Sequence, residues 1–364
     1  MEFKKLNSGS STFLNLARVV SAQFVVIGHL IRGLAIFPKI QPPYIPFLQG
    51  IGVVVFFILS GFLIPYSTVL KLKQNPKYSF KEFFIERFSR IFISLVPCLL
   101  FIVLIDLSTI IFNPNQYHFY DTFNIKNFIG SLLMLEENPF YKLSNLLYIE
   151  SFGSGRPFWT LAIEWWIYFW FGFLYLEIIN KQNANLKNIF ILAFFSIVPF
   201  SNFISGRGEG LMLPWCCGTL IFIIWPFFQK INFNKFLVFV TSVFLLYLIW
   251  IRFNATQFRY VEPYYVLLLS FLILVLLGFS HHLIITNKMK LIIQYFADFS
   301  FTLYLIHYTL IYFAFQFLNV FNDKYLFFIC CFLFVNLVSI SLAKHTEMKY
   351  KILRSYLIKK FIKK

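Results

Sequence analysis

Apolar residues run through this chain in long blocks separated by short polar breaks. Ten blocks stand out, at roughly 15–36, 48–70, 88–112, 157–180, 186–203, 209–228, 234–252, 264–280, 295–318 and 325–343. Each is about the length that a helix needs to cross the hydrocarbon of a bilayer. They lack the polar–apolar alternation of barrel strands, and in lipid only helices and closed barrels satisfy their own backbone. The pattern therefore predicts an all-α integral membrane protein, a polytopic bundle of about ten transmembrane helices. No internal repeat is visible, which weakens an inverted-repeat carrier. The longest polar break, about 113–156, holds a turn signal at Asn113-Pro114-Asn115 and a semi-apolar stretch from Phe128 to Leu135. That segment is expected to dip into the membrane or to cover part of a site.

Composition narrows the picture. Hydrophobic residues make up 59% of 364 positions, charged residues 13%, and Phe occurs 52 times. A soluble domain carries about 25% charged residues. The expectation is a single transmembrane domain over 1–364, with a helical core at about 12–343, a basic cytosolic tail at 344–364 and no appended soluble domain. The net charge of +17 comes from clusters between the apolar blocks. If the N-terminus is cytosolic, 22 basic residues fall on the cytosolic side and eight outside. That asymmetry predicts both termini in the cytosol and agrees with an even number of spans. The partner implied by the charge is the lipid bilayer, not nucleic acid. The five cysteines lie in apolar runs without metal-ligand spacing, so they read as buried packing residues and no metal is expected.

Ionisable residues inside a membrane are functional hypotheses by default. The first block holds three: Arg18, His29 and Arg32. Eleven residues, about three turns, separate Arg18 from His29, placing them on one helix face about 16 Å apart, with Arg32 at the next turn. A basic group with an imidazole deeper on the same face suits a long anionic substrate; Arg18 as a residue reaching to the interface, and His29 as an interhelical hydrogen-bonding group, are the plainer readings. Glu164, in Trp159-Thr160-Leu161-Ala162-Ile163-Glu164, comes to a depth similar to that of His29. It suits orienting or charge-stabilising a general-base histidine, or pairing with Arg32. Arg87 and Arg90 open the third block as a pair able to grip phosphates, in a place where topology alone also puts arginines. Ser60-Gly61-Phe62 interrupts the second block, and close helix packing is its simplest meaning. Asp298, Ser300, Tyr304 and His307 form a polar stripe in the ninth block. Asp106 is a further intramembrane acid with no role beyond pairing.

In this order the segments resemble the acyltransferase 3 family of bacterial membrane O-acyltransferases. Arg18 through His29 looks like the family's opening motif, a basic residue, ten others, then histidine. Gly52 to Phe62 is similar to its second-helix signature. Arg87 and Arg90 fall on its paired-arginine motif, Trp159 to Glu164 on its tryptophan-to-glutamate segment, and Ser300 to His307 on its late Ser-x-x-x-Tyr-Leu-x-His signature. Asn15 and Val54 stand where many members carry aspartate. The resemblance implies a multi-pass protein of the bacterial cytoplasmic membrane. It also implies acyl-CoA, usually acetyl-CoA, as donor substrate without a permanently bound cofactor, and a sugar or polysaccharide hydroxyl of the cell envelope as acceptor. His29 and Glu164 would then be catalytic, Arg18, Arg87 and Arg90 would hold the donor, and Arg32, Ser60, Ser300, Tyr304 and His307 would support them. A proton-coupled transporter or polysaccharide exporter using the same buried charges is the alternative.

Overall fold

A computed structural model describes residues 5–40, 42, 44–204, 210–231, 234–255 and 261–362, without the side chains of 141, 142 and 253–255. Its helices are α1 (Ser8–Leu34), α2 (Leu48–Gln74), α3 (Phe80–Phe112), α4 (Ile125–Leu132) and α5 (Phe158–Phe173), the last prolonged by a π-helix over Leu174–Ile179. Then follow α6 (Leu186–Ile204), α7 (Met212–Phe228), α8 (Lys235–Ala255), α9 (Pro263–Ser280), α10 (Asn287–Ala297), α11 (Ser300–Phe315), α12 (Lys324–His345) and α13 (Tyr350–Phe361). Among the described residues eight helices are long and apolar enough to cross a membrane, nine if α10 and α11 count as one broken span, and α7 is a shorter apolar helix. Each predicted block except the ninth coincides with one of these helices; of the predicted span positions only 209 lies outside the described residues. The chain is a multi-pass membrane protein.

Two predictions need correction. The ninth block is not one helix, because the chain leaves helix at Asp298 and Phe299. The restart is held by a carboxylate: Glu347, buried, accepts the Thr302 N–H at 2.8 Å and the Thr302 hydroxyl at 3.0 Å. An acid at a helix N-terminus satisfies amides that have no partner within the helix. The basic tail, for which the sequence reading gives no structure, is largely helical. Most of it is α13, packed on α3; its last two residues, Lys363 and Lys364, lie outside the described residues. Finally, Cys330 is exposed, unlike the buried Cys98, Cys217 and Cys331.

The chain divides into two compact units, Met1–Lys77 with Gly208–Ser300, and Tyr78–Arg207 with Phe301–Lys364. In the first, α2 packs against α1 on one side and α7 on the other. Gly61 is what lets α2 approach α7. A Cβ there would run into the Trp215 backbone carbonyl, and the Thr219 hydroxyl donates to the Gly61 carbonyl at 3.1 Å. The packing reading of the Ser60-Gly61-Phe62 segment thus has a physical basis.

The second unit is held by aromatic packing between α3, α5 and α6. Phe88 stacks on Phe92 at 4.3 Å, Phe92 meets Trp165 at 5.5 Å, and Phe169 lies between Trp165 and Phe195 at 4.9 Å from each. Such pairs contribute about 0.5–1.5 kcal/mol each beyond the area they bury. A capping box between Ser79 and Glu82 starts α3 about two turns before the predicted block. At 33 residues α3 is about 50 Å long, well beyond a hydrocarbon core of about 30 Å. α13 lies antiparallel along its first turns. Lys81 Nζ donates to the Phe361 carbonyl at 2.8 Å, Arg354 pairs with Glu86 at 3.4 Å, and the Arg90 guanidinium lies over Tyr350 at 5.5 Å.

Candidate active site

The first unit carries Arg18, His29, Arg32, Ser60 and Ser300. Arg18 is half-buried on α1 and donates to the Ser300 hydroxyl at 3.1 Å; that hydroxyl in turn donates to the Ala297 carbonyl at 2.8 Å. The opening segment and the late serine, 282 residues apart in sequence, are thereby joined. Asn15 donates to Gln294 at 2.6 Å, and Gln294 donates to Asp298 at 2.5 Å. An amide donor at position 15 thus finds an acceptor. His29 is half-buried and follows Gly28, whose missing side chain makes room for Gln49. Gln49 is buried, and its Oε1 has no hydrogen-bond partner among the described residues. Arg32 is exposed and lies over the Phe47 ring at 4.9 Å. Ser60 is buried in α2.

The second unit carries Arg87, Arg90, Glu164, Tyr304 and His307. Arg87 is flanked by the Phe83 ring at 5.5 Å and the Tyr168 ring at 6.0 Å, and its Nε is buried without a hydrogen-bond partner. Among the described residues neither Arg87 nor Arg90 has a carboxylate partner; Glu86, the acid next to them in sequence, is occupied by the Tyr78 hydroxyl at 2.7 Å and by Arg354. Rings that hold a guanidinium from its faces leave its N–H edges for an anion. Tyr168 also donates its hydroxyl to Glu164 at 2.5 Å. One tyrosine therefore stands between the arginine and the carboxylate that sequence spacing had singled out separately. Tyr304 meets the Thr160 hydroxyl at 2.5 Å, and buried His307 donates from Nδ1 to the Tyr304 carbonyl at 2.7 Å. A carbonyl only accepts, so the proton of this imidazole sits on Nδ1.

Asp106 turns out to be a hub. It is fully buried and accepts the Ser154 N–H at 2.8 Å, the Ser154 hydroxyl at 2.6 Å and the Tyr117 hydroxyl at 2.9 Å. The Ser154 hydroxyl also contacts Thr309 at 2.8 Å. Gly153 has φ +51°, and a Cβ there would collide with the Asp106 carboxylate, so this position needs glycine twice over. The hub pins the 113–156 segment to α3 and α11 just before the chain enters α5.

The sequence profile of the acyltransferase domain family, acyltransferase 3, matches residues 11–344. The chain belongs to this family. Every candidate residue named above lies within the match, which favours an enzyme over the transporter and exporter alternatives. The chain is 30% identical to the peptidoglycan O-acetyltransferase OatA of Listeria monocytogenes over 158 residues, 41% of this chain and 24% of that protein. It is 25% identical to the O-acetyltransferase OatA of Staphylococcus aureus over 292 residues, 72% of this chain and 46% of the relative. An O-acetyl transferase of Shigella phage Sf6 is 26% identical over 206 residues, 56% of this chain and 57% of the phage protein. The chain thus spans less than two thirds of each of these relatives. No solved structure is significantly similar.

The intramembrane charge rule singles out Arg18, His29, Arg32 and Glu164 as candidates. It missed Tyr168, Thr160 and Gln49. Among 20 tyrosines nothing marks Tyr168 except its place one turn after Glu164, and Gln49 is an isolated amide whose neighbour is seen only when α1 and α2 pack.

Proposed function

We propose that this protein is a membrane-embedded O-acyltransferase that moves an acetyl group from acetyl-CoA to a hydroxyl of a sugar or envelope polysaccharide. The observation that carries the reading is Arg87, a membrane-helix cation with aromatic neighbours, no acidic partner among the described residues, and a carboxylate one tyrosine away. An unpaired cation in such a place suits an anionic substrate, and the family and the relatives' O-acetyltransferase names supply the reaction class.

Arg87 and Arg90 hold the phosphates of the donor, with Arg18 as a further cation. The acceptor oxygen attacks the thioester carbonyl carbon; a C–O bond forms, the C–S bond breaks, and the electron pair leaves on sulfur. His29 removes the hydroxyl proton as the bond forms and returns it to the thiolate, releasing free coenzyme A. Glu164, with Tyr168, is the carboxylate of the site. Ser300 keeps Arg18 in place; Tyr304 and His307 order the neighbouring helix face, and Ser60 and Arg32 are supporting positions. The protein works in the cytoplasmic membrane with both termini cytosolic, where acetyl-CoA is made.

The test is transfer of labelled acetyl from acetyl-CoA in membranes. His29→Ala is expected to abolish transfer while the protein accumulates normally. Arg87→Ala and Arg90→Ala should raise the acetyl-CoA half-saturation about tenfold or more, as loss of a charge-assisted contact does. Substantial activity in His29→Ala removes the general-base assignment, and a change confined to the acceptor dependence removes the donor assignment.

A further inference from the structure

Tyr304, Tyr308 and Tyr312 recur every four residues along α11 and so share one face of that helix. At one end of the stripe Tyr304 meets Thr160. At the other, Tyr312 is tied to the 113–156 segment twice: its hydroxyl donates to the Gln116 carbonyl and accepts the His118 N–H at 2.8 Å. Phe119 packs edge-to-face against Tyr312 at 4.9 Å and against Tyr308 at 6.2 Å. Phe119, Tyr308 and Tyr312 are each half-buried, so their orientation is fixed by neighbours while part of each ring stays open. The Arg156 guanidinium lies over Tyr308 at 5.9 Å; Arg156 is exposed and has no ion pair among the described residues.

We propose that this stripe is the acceptor subsite and that its occupant is a glycan strand, an inference that rests on the O-acyltransferase reading. A pyranose ring has apolar C–H faces and a rim of hydroxyls. Fixed aromatic faces match the first, and phenol and guanidinium groups match the second. Rings already held by their neighbours lose little freedom when the sugar binds. Arg156, over the middle ring, recognises sugar oxygens or a sugar carboxylate, and the stripe leads one sugar hydroxyl toward Tyr304. Residues of a simple interfacial aromatic belt face lipid. These rings instead hydrogen-bond and pack against a polar segment that the Asp106 hub anchors.

The experiment uses the full chain purified in detergent, so that both substrates have access. The acceptor is envelope glycan from the producing cell, stripped of its O-acetyl groups with mild base. Tyr308→Ala and Arg156→Gln are expected to raise the glycan half-saturation about tenfold, with the acetyl-CoA half-saturation changed less than about twofold. Tyr308→Trp, which keeps a flat ring, should stay within about threefold of the unaltered protein. Binding of fluorescently labelled glycan without donor provides a second measurement, and should weaken in the same two variants. An unchanged glycan dependence in Tyr308→Ala, or a shift in acetyl-CoA dependence instead, overturns the subsite. So does sensitivity of the variants to added anionic lipid in place of glycan. If the unaltered protein transfers acetyl only to a non-glycan acceptor, the proposed function fails at its acceptor, an outcome separate from a failure of the stripe alone.

Discussion

Glu136 is buried in the 113–156 segment with one carboxyl oxygen accepting the Ser131 hydroxyl at 2.6 Å and the other without a hydrogen-bond partner among the described residues. Burial pushes its pKa up to about 7, the Ser131 hydrogen bond opposing. The native state therefore binds more protons here than the unfolded chain between about pH 4.5 and pH 7. Stability from this group is complete below the unfolded pKa, declines by up to about 3 kcal/mol as pH rises through that window, and is level above it. Hydrogen exchange of the 113–156 segment should be slower at pH 5 than at pH 8 beyond the intrinsic rate change, and Glu136→Gln should remove the difference. An equal difference in both proteins would clear Glu136 of the effect. Nothing in the sequence announced this residue. Glu136 stands beside a second acid, Glu137, at the end of a short apolar run and becomes unusual only once it is buried against Ser131, whereas Arg18 and His29 are conspicuous because they lie within a long apolar block.

At the scale of elements, hydropathy located every membrane helix because lipid imposes one length and one composition on each. What it did not show was where the ends are decided by contacts from elsewhere: the break before α11 depends on Glu347, 45 residues from Thr302, and α13 is ordered by α3. The phase of α1 is an element-scale property and can be tested as such. Arg18 and His29 share a helix face, and one alanine inserted after Ala22 turns His29 by about 100° relative to Arg18. Acetyl transfer should then fall almost as far as in His29→Ala. Four inserted alanines turn it by only about 40° and add about 6 Å, and should retain measurable transfer. Equal activity in the two insertions would show that a common face is not required.

For the whole molecule, the proposed orientation with both termini cytosolic draws on two features. One is the distribution of basic residues, 22 against eight. The other is the docking of α13. If α1 and α2 each cross once, α3 starts on the side where the chain began, and α13, which packs on that start, shares its side. Reporter fusions after the C-terminus and within the 113–156 segment are expected to read opposite sides, with the C-terminal fusion cytosolic. A C-terminal fusion that reads the outer side would remove both the orientation and the supply of donor from the cytosol.

The alternation of the two units along the chain also has a consequence for biosynthesis. The first unit is interrupted by 130 residues of the second, and the second by 93 of the first. At roughly 5–20 residues per second, α3 emerges tens of seconds before α13 is made. Throughout that interval the aromatic and charged flank of α3 that α13 will cover must be shielded by the insertion machinery or by lipid. A ribosome that stops a few dozen codons early would release a chain with nearly every membrane helix in place but the second unit unsealed, a natural target for quality-control proteases.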